Sequence, residues 1–322
     1  MKIEELQKMV ETGEVKGVSL EGMELEGVDF SNCTLQQVSF KKSVLTNCRF
    51  RGAKLRWCDM RYVKIEGATF EDAEIEFCDF YRAFVDGVVI FTGSKVSNCS
   101  LTKAYFGDSA LIRKYNLVGH RILQQSETDY RRFLTEWHKF GTGTRTNDVG
   151  AQSDWSPEKA IRGRWAECEE LYKNLNSQWA GRGFVADSNW AYVQGRRRER
   201  NRRIWQMSDP NVALFTKVKN VWKIATNVVS DLLFGFGESM VRMVLTYIVT
   251  VFIFAWAFSC NISILEYSEA FVVSLKNMAG MDSEVLANVS PLVDMLNVVQ
   301  TTIGILLTGI FGFILGNKIR NQ

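Results

Sequence analysis

The chain has 322 residues, about twice a single domain, so two or three folding units are expected. Its 46% apolar and 23% charged residues, its net charge of +3 (39 basic against 36 acidic side chains) and its mean hydropathy of −0.08 exclude a disordered, collagen-like or strongly polyanionic chain. They do not exclude a membrane segment, because an average near zero conceals segregation along the chain.

Residues 1–17 read as a capping helix, with Ile3, Leu6, Met9 and Val10 on one face. This start is charged and polar, which predicts no secretory signal. From Leu20 a large apolar residue then falls at every fifth position: Leu25, Phe30, Leu35, Phe40, Leu45 and onward to Val85 and Ile90. After a one-residue slip the pattern resumes at Val96, Leu101, Phe106 and Leu111. A small residue lies two places before each, from Val18, Val28 and Cys33 through Val88 to Ser109, with Met23 and Ser94 as the irregular members. Nineteen such units fit neither the helix period of 3.6 nor the strand period of 2.

This pattern over 18–112 resembles the pentapeptide-repeat family. The resemblance implies a right-handed quadrilateral β-solenoid, four units to a coil, in a rod of nearly five coils and about 23 Å. Cys33, Cys48, Cys58, Cys78 and Cys99, five of the seven cysteines, fall in the small inward column and read as apolar filler. Some members of the family mimic DNA, but 13 acidic and 11 basic residues in 18–112 make this rod nearly neutral. The basic run Lys41, Lys42, Arg49, Arg51, Lys54, Arg56, Arg61 and Lys64 reads as a solvated face.

Residues 113–208 carry helical stripes and read as a cytoplasmic α-helical linker domain. The first stripe is Tyr130, Phe133, Leu134, Trp137 and Phe140; a polar loop over 141–155 follows. Ser156 and Pro157 open a helix whose stripe is Ile161, Trp165, Cys168, Leu171, Tyr172, Leu175 and Trp179. A third helix holds Trp190, Val193 and six arginines between Arg196 and Arg203. Residues 209–238 form an amphipathic helix, apolar from Leu214 to Leu233 on one side, with Lys217, Lys219 and Lys223 elsewhere; it reads as an interfacial helix on the inner leaflet.

Residues 239–322 read as a two-span α-helical pore module. Met243–Leu265 and Met295–Asn317 are each 23 residues without a charge, about 35 Å as helices and enough to cross a bilayer. The arginine run precedes the first span, Lys318 and Arg320 follow the second, and residues 266–294 carry five acids against Lys276 alone. Positive-inside bias then places both termini in the cytoplasm. The pore loop, 266–290, has the length of a short pore helix (Ser268 to Leu275) and a re-entrant turn. Asn297, Thr301, Gly304, Thr308 and Gly312 share one side of the second span and read as a pore lining.

From Glu167 onward the chain resembles bacterial two-span, potassium-channel-like ion channels that carry cytoplasmic pentapeptide repeats. The residues behind this are Glu170 to Leu175, the arginine run, Gly235 to Glu238, and Gly309 to Lys318. The resemblance implies a homotetramer in the bacterial inner membrane, with a selectivity filter over Lys276, Asn277, Met278, Ala279, Gly280, Met281, Asp282 and Glu284. Gly280 and Asp282 match a TxGYGD-like filter; the threonines and tyrosine are missing. The expectation is therefore a cation channel of weak or non-potassium selectivity, gated through its cytoplasmic domains. Lys276 places positive charge near the path, while the surrounding acids favour cations. The expected partners are the lipid bilayer, further copies of the chain and permeating ions, with no nucleic acid. Two histidines (His120, His138) and no CxxC pair leave no catalytic, metal or disulfide constellation, so neither enzymatic activity nor a cofactor is expected. The alternatives are a membrane-anchored scaffold that binds proteins through its solenoid, and a toxic pore of a bacterial defence system.

Overall fold

A computed structural model describes residues 3–107, 109–110, 112–139, 157–262, 265–281 and 290–320. The chain divides into two compact units, Met1–Trp205 and Gln206–Gln322.

The first unit opens with α1 (Ile3–Glu11), followed by ten short strands: β1 (Glu14–Lys16), β2 (Glu24–Glu26), β3 (Thr34–Gln36), β4 (Val44–Thr46), β5 (Lys54–Arg56), β6 (Lys64–Glu66), β7 (Glu74–Glu76), β8 (Phe84–Asp86), β9 (Lys95–Ser97) and β10 (Tyr105–Phe106). Odd strands stack in parallel as one sheet, β1-β3-β5-β7-β9, and even strands as another. The register advances twenty residues per coil, as in Val15↔Leu35↔Leu55↔Ile75. Single bridges stitch the other two sides, Ser19↔Ser39↔Asp59↔Asp79 and Asp29↔Arg49↔Thr69. The result is a four-sided β-solenoid of about five turns.

Each coil points one large apolar side chain inward per side, and these stack in columns. Phe30, Phe50, Phe70 and Phe91 form one column, with ring centroids 5.0, 4.7 and 5.1 Å apart and planes within 13° of parallel. The spacing follows from the distance between stacked strands. All four rings are buried, and offset stacking at this distance adds to the burial itself.

Several expectations shift by a residue. The solenoid begins one unit earlier than Leu20, at Val15, which is fully buried in β1. The slip falls before position 90: Phe91 and Val89 are buried, Ile90 is only half-buried and Val88 is 64% exposed. Phe91 takes the inward place because its ring continues the Phe70 stack. Ser94 is thereby regular, its hydroxyl donating to Phe91 O (2.8 Å) as Ser43 donates to Phe40 O (2.6 Å). In α1, Leu6 is buried and Met9 and Val10 pack on the core, but Ile3 stays half-exposed. Leu111 lies outside the described residues.

Arg61 does not belong to a solvated face. It is fully buried, and its guanidinium and backbone N–H all donate to Asp59, at 2.6–3.0 Å. Burial pushes the Asp59 carboxyl up against the opposing pull of Arg61. The inward cysteines are buried too; burial raises the Cys48 thiol to about 11 and pushes Cys58 and Cys78 well above the ordinary thiol range, which keeps them unreactive.

The solenoid's flank and its last coil are both covered. Trp57 and Phe77 occupy left-handed corner positions (φ 55° and 51°), where glycine or asparagine is the easier residue. They stack at 4.5 Å, and α2 (Glu127–Lys139) lays Tyr130, Phe133, Leu134 and Trp137 against them. After β10 the coil has no successor, and its edge carbonyls need donors. Arg182 supplies them to Ala110 (2.6 Å), Phe106 and Gly107. Trp179, fully buried near the end of α3 (Pro157–Gly181), donates its indole N–H to Ile112 O at 2.9 Å.

The arginine run lies on α4 (Val185–Ser208), where its side chains are half-buried and paired within the protein. Arg196 and Arg203 both bind Glu199 at 2.6 Å, and Arg202 reaches across to Glu169 of α3 at 2.7 Å. Burial pushes the Glu169 carboxyl up, but Arg202 and Lys173 outweigh it and hold it below the usual range.

Candidate functional site: a short helix between two apolar helices

The second unit contains α5 (Leu214–Phe234), α6 (Met240–Asn261), α7 (Tyr267–Met278) and α8 (Pro291–Arg320). Both α6 and the Pro291–Gly316 part of α8 are long and apolar enough to cross a membrane. Only 22% of either apolar window is buried, whereas the core helix of a soluble protein is mostly covered. Val244, Leu245, Ile248, Val249, Phe252 and Ile253 of α6 face outward, as do Val298, Ile305, Leu306 and Phe313 of α8.

Between them lies α7. Glu266 and Glu269 form a capping box at its start. Its far end closes in a Schellman motif: Met281 N–H donates to Lys276 O (2.9 Å) and Gly280 N–H to Asn277 O (3.0 Å), with Gly280 at φ +73°. Two contacts fix how deep α7 reaches. The Ser274 hydroxyl donates to Val251 O (2.8 Å), halfway along α6. Gly304, halfway along the apolar part of α8, lies so close to Met278 that a Cβ would stand 2.5 Å from Met278 O. Helix α7 therefore enters from the α6–α8 connection and stops at mid-length of both apolar helices.

A buried polar cluster holds it there. The Gln300 amide donates to Ser274 O (3.0 Å) and Ser274 Oγ (2.5 Å) and accepts from Asn277 Nδ2 (3.2 Å), and all three residues are buried. Such a cluster is stable away from water only when its donors and acceptors pair. The partners of Gln300 lie 23 and 26 positions away in the chain, so only the packing discloses its role.

The residues expected to form a filter are placed otherwise. Lys276, Asn277 and Met278 are the last turn of α7, and Ala279, Gly280 and Met281 are its cap. Their backbone is not the extended ladder of free carbonyls that a potassium filter needs, because the carbonyls of Lys276 and Asn277 are spent in the cap. Asn277 and Met278 are buried, while Lys276, Ala279, Gly280 and Met281 are exposed. Asp282 and Glu284 lie outside the described residues.

The stripe on α8 also divides. Gly304 turns away from any lining and packs on α7, where a side chain has no room. Thr308 and Gly312 are exposed, and Asn297 and Thr301 are half-buried. The Asn297 side-chain oxygen Oδ1 is buried without a hydrogen-bond partner. Thr308 also lines an apolar groove of about 320 Å³ with Met243, Tyr247, Leu307 and Phe311. Among the described residues, no group of three His, Cys, Asp or Glu side chains gathers to hold a metal ion.

Helix α5 is built inside out relative to a soluble helix. Asn220, Asn227 and Asp231 are buried, while Leu214, Phe215, Val218, Trp222 and Leu232 are 62–81% exposed. Arg242 at the start of α6 pairs with Asp231 at 2.9 Å.

The fold class of the first unit, a four-sided parallel β-solenoid, agrees with the comparisons to known proteins. Residues 24–61 match the model for pentapeptide repeats in eight copies, so the solenoid is a pentapeptide-repeat solenoid. Solved structures with similarity include HetL, a pentapeptide repeat protein involved in heterocyst differentiation regulation from the cyanobacterium Nostoc sp. strain PCC 7120. It is 19% identical, the match covers 35% of this chain and 50% of HetL, and the TM-score is 0.26. A second is the pentapeptide repeat protein Rfr23 from the cyanobacterium Cyanothece 51142, 15% identical over 36% of this chain and 97% of that one, with a TM-score of 0.16. A third is a pentapeptide repeat protein from the Arabidopsis thaliana thylakoid lumen, 23% identical over 29% of this chain and 69% of that one, with a TM-score of 0.12. The chain thus spans about half the length of HetL. No curated protein matches the chain.

Proposed function

We propose that this chain is the subunit of an oligomeric ion channel, in which α6 and α8 span a bilayer and α7 re-enters it to half depth. The observation that carries the reading is the paired depth of α7, with Ser274 at the middle of α6 and Met278 at the middle of α8. A plain anchor has no need of a third helix ending at mid-membrane, held by a buried Ser274–Asn277–Gln300 cluster. Non-helical backbone at that depth is tolerated only where protein or water surrounds it. One chain leaves Thr308 and Gly312 bare, and lipid is a poor solvent for such a stripe. Several copies around one axis, four by the potassium-channel-like layout, turn it toward water. The apolar face of α5 then rests on the cytoplasmic leaflet, and the solenoid serves as the cytoplasmic arm.

The test is reconstitution of the full chain in lipid nanodiscs and liposomes. The expected result is a multimer per disc and ion flux that is lost when 266–290 is replaced by a short polar hairpin. A monomer in every disc, or flux that survives that replacement, overturns the proposal.

A second reading, a membrane-anchored scaffold, draws on the solenoid itself, a repeat surface of the kind that binds proteins. Phe84 and Tyr105 stack at 4.9 Å on its outside and are 40% and 45% exposed. Under this reading the 266–290 replacement leaves partner binding and cell phenotype intact.

A further inference from the structure

We propose that Lys276 is the charge-selecting group of this pore and that the permeant class is anions. The inference rests on the channel reading above and adds the sign of the ion.

Lys276 sits between the two residues that mark the depth of α7, Ser274 and Met278, and so lies at mid-length of both apolar helices. Unlike its neighbours Asn277 and Met278 it is exposed, on the side of α7 turned away from α6 and α8. A lysine at that depth is expensive in hydrocarbon and belongs against water or another copy. No Asp, Glu, Lys, Arg or His occurs in 243–265 or 295–317, so the helices flanking it bring no charge of their own to this level.

The competing charges among the described residues lie elsewhere. Glu266 is the N-cap of α7 and Glu269 lies in its first turn, about 10 Å or more along the helix axis from Lys276, and Asp294 is in the first turn of α8. These acids belong to the mouth. The negative end of the α7 dipole amounts to about half a charge, and cap hydrogen bonds occupy its last carbonyls. The ammonium of Lys276 outweighs it. Repeated around an axis, this residue forms a cationic ring at the deepest point α7 reaches. A ring of lysines favours anions, and rings of acids favour cations. Asp282 and Glu284 follow the deep end of α7 in the sequence and lie outside the described residues; in the proposed pore the Lys276 ring outweighs them in deciding which sign passes.

The test is the reversal potential of the full chain in planar bilayers under an asymmetric KCl gradient. The expected wild-type value lies on the chloride side. Lys276→Glu moves it across zero to the potassium side, Lys276→Gln moves it toward zero, and Glu269→Gln leaves its sign unchanged. A wild-type value on the potassium side, or a Lys276→Glu value equal to wild type, overturns the proposal while leaving the channel reading standing. If the wild type carries no current, the channel reading fails, and the placement of Lys276 is judged by labelling. For that, Cys260, the exposed one of the seven cysteines, is replaced by serine. Lys276→Cys in liposomes is then expected to react with a charged, membrane-impermeant thiol reagent far faster than Leu275→Cys. Equal rates overturn the placement.

Discussion

In the solenoid the inward positions hold Leu, Ile, Val, Met and Phe, and the outward positions of the same strands hold Lys, Arg, Glu and Thr. In the second unit the arrangement is reversed at its key contacts. Ser274, Asn277, Gln300, Asn220, Asn227 and Asp231 are buried, and Trp222, Phe252, Ile305 and Phe313 face outward. The same twenty amino acids follow opposite rules at these positions, which supports the proposal that the two units answer to different solvents. The solenoid hides apolar surface from water. The second unit hides a set of polar groups and leaves many apolar ones exposed, which suits the proposed bilayer. Its helices are held by hydrogen bonds and close backbone approach in addition to two small buried apolar clusters, one around Phe258 and Val273 and one around Val251 and Met278.

Four substitutions probe that contrast, from the largest expected effect to the smallest. Phe50→Ala breaks the centre of the four-ring column and is expected to destabilise the first unit by about 3–5 kcal/mol, read from denaturant unfolding of the purified chain followed by far-UV circular dichroism. A loss below 1 kcal/mol contradicts a solenoid held by stacked apolar columns. Gly304→Leu forces the α7–α8 contact apart and is expected to cost about 1–3 kcal/mol in the second unit. It is checked by thermal unfolding of the reconstituted chain; an unchanged midpoint argues that close backbone approach does not hold this unit. Arg182→Met leaves the carbonyls of Phe106, Gly107 and Ala110 without their donor. About 1–3 kcal/mol of local stability is expected to go, seen as faster amide exchange over 105–112, while the Phe30–Phe70 coils stay protected.

The smallest effect is a pH dependence at the α3–α4 clamp. Glu169 has a carboxyl pKa below its ordinary value in the folded chain, so its pairing contributes stability above the unfolded value and loses it as pH falls through the folded value. Acidification below about pH 4 is therefore expected to loosen α3 from α4, and Glu169→Gln is expected to flatten that acid limb. An identical acid profile in the variant contradicts the clamp. The measurement is tryptophan fluorescence, since Trp165, Trp179 and Trp190 pack within these two helices and against the first unit's core.

Much of the solenoid was legible because a five-residue period is unlike any other backbone repeat, and each inward residue is decided by its own place in the period. The columns at Leu35, Phe50 and Ile75 follow from spacing alone. What spacing misplaced was the slip near Ile90, since an inserted residue can be absorbed at either of two neighbouring turns and only the Phe70–Phe91 stack selects between them. Trp57 and Phe77 went unread as a docking edge, although two bulky aromatics twenty positions apart at corner sites are a signal that another element covers them. In the second unit the length and apolarity of α6 and α8 were plain, and α7 was placed on the right segment.

The sequence by itself determined where the chain coils every twenty residues, where it turns apolar, and that one lysine stands among the acids of the α6–α8 connection. Only the tertiary structure decided that Gly280 ends a helix instead of opening a filter, that Gly304 faces α7, that Arg61 is buried, and that Lys276 reaches mid-length of the two apolar helices. The physical reason is range. A periodic pattern is written in residues a few places apart, whereas depth, burial and hydrogen-bond partnership join residues more than twenty places apart, and packing alone brings those together.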